Sequence, residues 1–536
     1  MILVNLFILL YDSSLSPPFF FLLLLIFFFS QHHLVVGGPV LKRRCCGVSI
    51  NGKTIQQWLL DGRSRGQMDG DERKAVWHEV FFNLAYATAV AGIVNVLINV
   101  SKWDEPIDNW IHILAFTSLF LPLYFHWISH GLYLNRFDNS DMLHNAYQLL
   151  NVSFMCLAAS NITKCVPTFL SAGAEIDNYG GCADYSYIMF GLRLSTVFMY
   201  ARAAVMIPAK TLFCIRKCVE LLVFALAWLL NGVFQRYWYG WVGFLLSWWI
   251  ITVVDMIIPL ITPRIFPQRV GFVAVNIDLL IERFGLFIVG ALGNCVIAAT
   301  LVPSVLSDFT IKSQDYAISF MIICMAFALK LTYHDSNKGS NDDIDLHAMR
   351  WHHWTGISWI MMHMPLTAGL IIMSGFFGHA LNGHELTERQ RWYLTGSIAM
   401  TIISLNMMQL LHKRSKIPVR VGPLVRISAR FLAAVLILLS ALVPPKYAPI
   451  WALFLFALVA MACYTFLDMI GNRAIDSHAS ERAHSRDTEM TSGPDIADIF
   501  STDGMAKSIH GMVVGGQMKG YNNTRMRGRD VSSAYI

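Results

Sequence analysis

The sequence predicts an all-α, polytopic integral membrane protein, a helical bundle of about twelve transmembrane helices. Three observations carry this expectation. Hydrophobic residues make up 55% of the 536-residue chain, above the roughly 45–50% of ordinary soluble domains. Charged residues make up 14%, against roughly 25% in soluble chains. The apolar residues also arrive in runs long enough to cross a bilayer, about 20 residues of helix, and most runs lack the polar face of a helix packed on a soluble core. Strands of a membrane barrel would instead alternate over short segments.

In chain order, residues 1–77 read as an N-terminal extension followed by a basic cytoplasmic segment. Two short apolar pieces, 1–10 and 19–29, flank Ser16-Pro17-Pro18, and neither alone spans a bilayer. A peripheral extension and a cleaved signal are the two readings of this stretch. Lys42, Arg43, Arg44, Lys53, Arg63, Arg65, Arg73 and Lys74 then precede the first span. The bundle is expected over 78–470. Its first six spans fall near 78–100, 110–132, 143–162, 184–207, 212–234 and 240–260. The other six fall near 280–303, 316–333, 353–375, 391–411, 427–445 and 449–470. Both sets open on a glutamate before aromatics, Glu79-Val80-Phe81-Phe82 and Glu282-Arg283-Phe284, so two six-helix halves are one arrangement the pattern allows.

Basic residues keep one phase through this alternation. Arg136, then Lys210, Arg216 and Lys217, then Arg264 and Arg269, and later Lys413, Arg414 and Lys416 fall in alternate loops. The positive-inside rule therefore places both termini in the cytoplasm, in a plasma membrane or endomembrane. Residues 471–536 are polar and poor in large apolar side chains, and are expected to form a disordered cytoplasmic tail. The formal net charge of +6 is small and belongs to no basic soluble domain, so nucleic acid is not an expected partner. The bilayer is the expected partner, and the oligomeric state is open. Cys165 and Cys182 fall in one predicted exoplasmic loop and form a disulfide candidate.

Four segments resemble the low temperature requirement A (LtrA) family of multi-pass membrane proteins. They are His78-Glu79-Val80-Phe81-Phe82-Asn83-Leu84, Tyr133-Leu134-Asn135-Arg136-Phe137-Asp138, Glu282-Arg283-Phe284-Gly285-Leu286-Phe287 running on to Ala291-Leu292-Gly293-Asn294, and His363-Met364-Pro365-Leu366-Thr367-Ala368-Gly369. They stand in the family's order and cover roughly 78–375. The chain departs from the family at two places: Asn83 stands where the family usually has Asp, and Asn294 where it has Glu. Both changes replace a titratable carboxylate with an amide. The resemblance implies no particular substrate or reaction.

Ionisable groups inside spans are costly in lipid and usually face a bundle interior or a wet cavity. Glu79 and Asn83, four residues apart, share a helix face, as an ion site or as an interfacial cap of the helix N-terminus. Arg283 and Asn294, eleven apart, fall nearly on one face about 16 Å apart, lining a pathway or clamping helices. With Glu282 and His363 these form the candidate binding set. Arg193 and Arg202 need partners, for which Asp255 and Glu282 are candidates, as a static brace or an anion site. His126 and His130 share a face at metal-binding spacing, but His347 and His352-His353 complete no converging box, so neither a metal nor another cofactor is expected. No phosphate loop, dinucleotide fingerprint or nucleophile elbow is present, and no catalytic residue is assigned. The residues point first to a transporter or channel-like protein for a small solute or ion. A membrane scaffold, sensor or lipid-organising protein is the alternative, ahead of a lipid-modifying enzyme.

Overall fold

The computed structural model describes residues 77–100, 109–137, 142–170, 180–234, 241–265, 273, 275–305, 313–338, 347–382, 386–413 and 421–491. Among these the chain is helical throughout, without strands. The first span begins as α1 (Trp77–Ala91), tightens into a 3-10 turn at Gly92–Val94 and continues as α2 (Asn95–Val100). Next come α3 (Asn109–Arg136), α4 (Met142–Leu170), α5 (Gly180–Met206), α6 (Thr211–Phe234) and α7 (Trp241–Ile265). The remainder is α8 (Ile277–Val305), α9 (Ser313–Lys338), the short α10 (Ala348–Trp351), α11 (His353–Leu381), α12 (Glu388–Leu411), α13 (Pro423–Leu439) and α14 (Ile450–Thr491).

Among the described residues, nine helices are long and apolar enough to cross a membrane. The other three long helices, α4, α6 and α7, lie where the remaining spans were expected. Two of them carry polar groups along their length, His144, Gln148, Asn151 and Asn161 on α4 and Arg216, Lys217 and Glu220 on α6, while α7 shows a shorter apolar stretch, Leu246–Ile258. Large apolar side chains such as Phe81, Val223, Phe320, Phe327 and Leu432 stand exposed on helix flanks. In water such surfaces would be unfavourable; against lipid tails they are not. The chain is an integral, multi-pass membrane protein.

Local chemistry sets several helix ends. At α12 the Thr387 hydroxyl accepts from the Gln390 backbone N–H, and the Gln390 side chain accepts from the Thr387 N–H, a reciprocal cap that closes two orphan donors. At α8 the Asn276 side chain accepts from Leu279 N–H. The α14 helix runs on to Thr491, some twenty residues beyond where the bundle was expected to give way to a disordered tail. Ala and Arg recur there with Glu481 and Glu489, and no proline intervenes before Pro494, so the polar sequence sustains a helix. Residues 1–76 and 492–536, which hold the expected extension and the rest of the tail, lie outside the described residues.

α5 packs along α6, α11 along α12, α4 along α5, and α8 along both α11 and α1. One continuous apolar core runs from Phe82 on α1 to Tyr464 on α14, across both proposed halves, and a second, smaller one gathers Tyr133, Met199 and Phe213 among α3, α5 and α6. Two glycines of α11 set how closely its neighbours approach. A Cβ at Gly375 would meet the Val94 side chain in the 3-10 turn, and one at Gly369 would meet the Thr401 hydroxyl and lie 2.9 Å from the Ser397 carbonyl oxygen of α12.

Candidate functional site: a cavity where four segments meet

α1 turns Phe82, Asn83 and Tyr86 inward and leaves Phe81 and Leu84 exposed. Opposite stands α3, and the Trp127 indole N–H donates to Asn83 Oδ1 at 2.7 Å. α8 approaches the same place, where Arg283 Nη1 donates to the Gly131 carbonyl of α3 at 2.6 Å. Between these bonds lies a cavity of about 30 Å³, room for a single water-sized species. Its wall includes Asn83, Trp127, His130, Gly131, Arg283 and Phe284.

The remaining segments close around it. Asn294, three turns along α8 from Arg283, donates to the Ala87 carbonyl of α1 at 3.2 Å. Phe284 lies 4.3 Å, ring to ring, from His363 on α11, and Trp127 stacks on Phe287 at 4.0 Å. His363 Nδ1–H donates to the Trp359 carbonyl at 2.8 Å, so its Nε2 accepts from the Tyr333 hydroxyl at 3.2 Å. Below the cavity, Asn135 and the Asn276 backbone exchange two bonds, 2.9 and 2.7 Å, which tie the end of α3 to the start of α8.

The structure therefore brings together Asn83, Arg283, Asn294 and His363, two of them in the cavity wall and two one layer away. Glu282 is exposed on the far side of α8 and does not line the cavity. Glu79 falls in the first turn of α1, and its side chain lies outside the described residues. Arg193, fully buried on α5, pairs with Asp255 of α7, while Arg202 is half-buried farther along α5. Beside that pair, Asn151 Oδ1 accepts from both Ser195 and His126, joining α3, α4 and α5. Cys165 lies on α4, which runs through the expected loop to Leu170; its side chain is outside the described residues. Cys182 is disulfide-bonded.

Sequence reasoning passed over Trp127 and Gly131, because a tryptophan and a glycine in an apolar span carry no local sign of a polar role. It also passed over a second buried ion pair. Arg430 of α13 donates through Nε to Asp468 of α14 at 2.8 Å and through Nη1 to Gln409 of α12 at 2.7 Å. Here a signal existed: a lone arginine and a lone aspartate in consecutive apolar spans each need a partner.

Among the described residues, no group of three or more His, Cys, Asp or Glu side chains is placed to hold a metal ion. His126 and His130 face one another in a stack at 6.1 Å, with His130 turned against Phe82. The arrangement offers a small, partly polar chamber bounded by an arginine, an amide and an imidazole, enclosed by aromatic rings.

No curated protein matches the chain at a significant level. The family model described as bacterial low temperature requirement A protein matches residues 74–463, well over half of the chain, and it spans every helix that builds the cavity. The chain belongs to the LtrA family.

Proposed function

We propose that this protein is a transporter or channel-like protein of about twelve spans, with both termini cytoplasmic, that passes a small solute or ion through the cavity between α1, α3 and α8. The observation that carries the reading is convergence. Segments far apart in sequence deliver Asn83, Gly131 and Arg283 to one small cavity whose remaining wall is largely apolar, including Phe82, Leu132, Leu280 and Ile360. Buried polar groups on membrane-spanning helices are expensive unless they serve a path or hold helices together. The chamber's size limits what this conformation admits to water, a proton carrier or a monoatomic ion.

The test is flux into liposomes holding the purified protein, screened against protons, alkali cations, halides and small neutral solutes. Arg283→Met and Asn83→Leu are expected to reduce the flux of the true substrate at least tenfold while folded protein is still recovered, the scale expected for losing a charge-assisted bond. Flux unaltered in both variants would overturn the reading.

A non-transporting scaffold or sensor is the second reading, and one observation favours it. Asn83, Arg283 and Asn294 each hold a hydrogen bond to another helix, which is also what a static clamp would do. Folded protein that passes none of the screened solutes would move the weight to this alternative.

A further inference from the structure

A second polar cluster lies beside the cavity, around the start of α11, where Trp359 packs edge-on against Phe284 of the cavity wall at 5.4 Å. His347 precedes α10, His412 follows α12, and Trp359 stands in the second turn of α11. The His347 ring lies 4.6 Å from His412 and 4.9 Å from Trp359, edge to face in both cases. His347 is 1% exposed and Trp359 is 0% exposed.

The hydrogen bonds fix which nitrogen carries each proton. The Met349 backbone N–H donates to His347 Nδ1 at 3.2 Å, and the Ala348 N–H donates to His412 Nδ1 at 3.1 Å. A nitrogen that accepts carries no proton, so in each neutral ring the proton sits on Nε2. Burial keeps both rings neutral, with the pKa of His347 pushed down to about 2 and that of His412 to about 4. His347 Nε2–H, His412 Nε2–H and Trp359 Nε1–H are thus three donors. All three nitrogens are buried, and none has an acceptor among the described residues. His363 next to them is the opposite tautomer and is satisfied at both nitrogens.

Several unpaired donors in one ring cluster point to a ligand that only accepts. A metal cation needs a lone pair where these rings hold protons, so the cluster has the wrong tautomers for one. Arg350 adds positive charge beside His347. Its carboxylate partner Asp278, at 2.6 Å, is largely exposed, where solvent screens its charge.

We propose that His347, His412 and Trp359 form a binding site for one small anion of halide size. The site adjoins the cavity through Phe284 but shares none of its lining side chains, and it does not depend on transport through the cavity.

The test uses the full-length protein in lipid nanodiscs. Thermal unfolding is followed in chloride, bromide and gluconate at one ionic strength. A saturable rise in Tm with either halide and none with gluconate is expected. Trp359→Phe keeps the ring and removes one donor, and should weaken the halide dependence roughly tenfold or more, the scale of one charge-assisted bond. Equal behaviour in chloride and gluconate, or unchanged halide dependence in the variant, overturns the site. If the variant fails to fold, bromide located by anomalous diffraction from the wild-type protein decides the matter. A bromide in contact with the three nitrogens supports the site, and its absence there overturns it.

Discussion

Replacing Asn83 isolates the bond that closes the cavity. Asn83 and Trp127 are 7% and 4% exposed, and the indole N–H has Asn83 Oδ1 as its acceptor at 2.7 Å. Asn83→Leu keeps the volume and removes the acceptor, leaving a buried donor at a cost of about 1–3 kcal/mol. The adjoining chamber of about 30 Å³ has room for one water that could take over the bond, which puts the expected loss nearer about 1 kcal/mol. Asn83→Asp keeps the acceptor and places a carboxylate in the same wall as Arg283, so its stability at neutral pH should equal or exceed that of the wild-type protein. Unfolding of the three proteins in one lipid environment gives the order, expected as Asp at or above Asn, and Asn above Leu. A leucine variant as stable as wild type would refute the view that the Trp127–Asn83 bond holds α1 to α3.

Further outcomes follow from the packing. Gly369→Ala and Gly375→Ala should each destabilise by about 1–3 kcal/mol in thermal unfolding, because the added methyl meets α12 or the 3-10 turn, whereas Gly293→Ala, with open space around its Cβ, should not. Asp468→Asn strips the charge from the partner of a buried Arg430 and should cost about 3–5 kcal/mol, while replacing both members by apolar residues of similar size should cost much less. The histidine pair predicts the pH dependence. Both rings have pKa values pushed below the ordinary 6.5, so unfolded chains bind protons that the folded rings refuse. Their contribution is full above pH 6.5 and falls as pH drops from there towards about 4 and then 2. At pH 5 the loss is about 2 kcal/mol for each ring. Unfolding free energy measured between pH 5 and 7.5 should lose that slope in His347→Asn combined with His412→Asn.

Much of the architecture was legible because lipid imposes a length and a composition on each span. The long apolar runs and the helices coincide to within a few residues in most places. Where they differ, a specific interaction intervened. α12 begins three residues earlier than the apolar run because Thr387 and Gln390 cap each other. α14 continues through polar sequence because helix formers persist there, a feature that hydropathy does not record. Three helices escaped the apolar criterion, and two of them, α4 and α6, carry inward or terminal polar groups such as Asn151, Gln148 and Glu220.

The site was legible only in part, and the reason is geometric. A sequence lists which residues are polar inside a span, and this sufficed for Asn83, Arg283, Asn294 and His363. It does not give the rotation of one helix against another. That rotation turns Arg283 to the cavity and its neighbour Glu282 to the outside, although the two are adjacent and both ionisable. Nor does it reveal partners that use backbone atoms: Arg283 bonds a glycine carbonyl, and Asn294 an alanine carbonyl. His347 and His412 are 65 residues apart, and what joins them is a pair of backbone N–H groups at the start of α10. The two polar centres consequently differ in kind. Around the cavity Asn83, Arg283 and Asn294 each find protein partners, which gives α1, α3 and α8 a fixed register. At the histidine cluster donors remain after the acceptors among the described residues are counted. A surplus of donors specifies a ligand more directly than a satisfied network does, so the histidine cluster is the sharper place to look for a bound species and the cavity the sharper place to look for movement between helices.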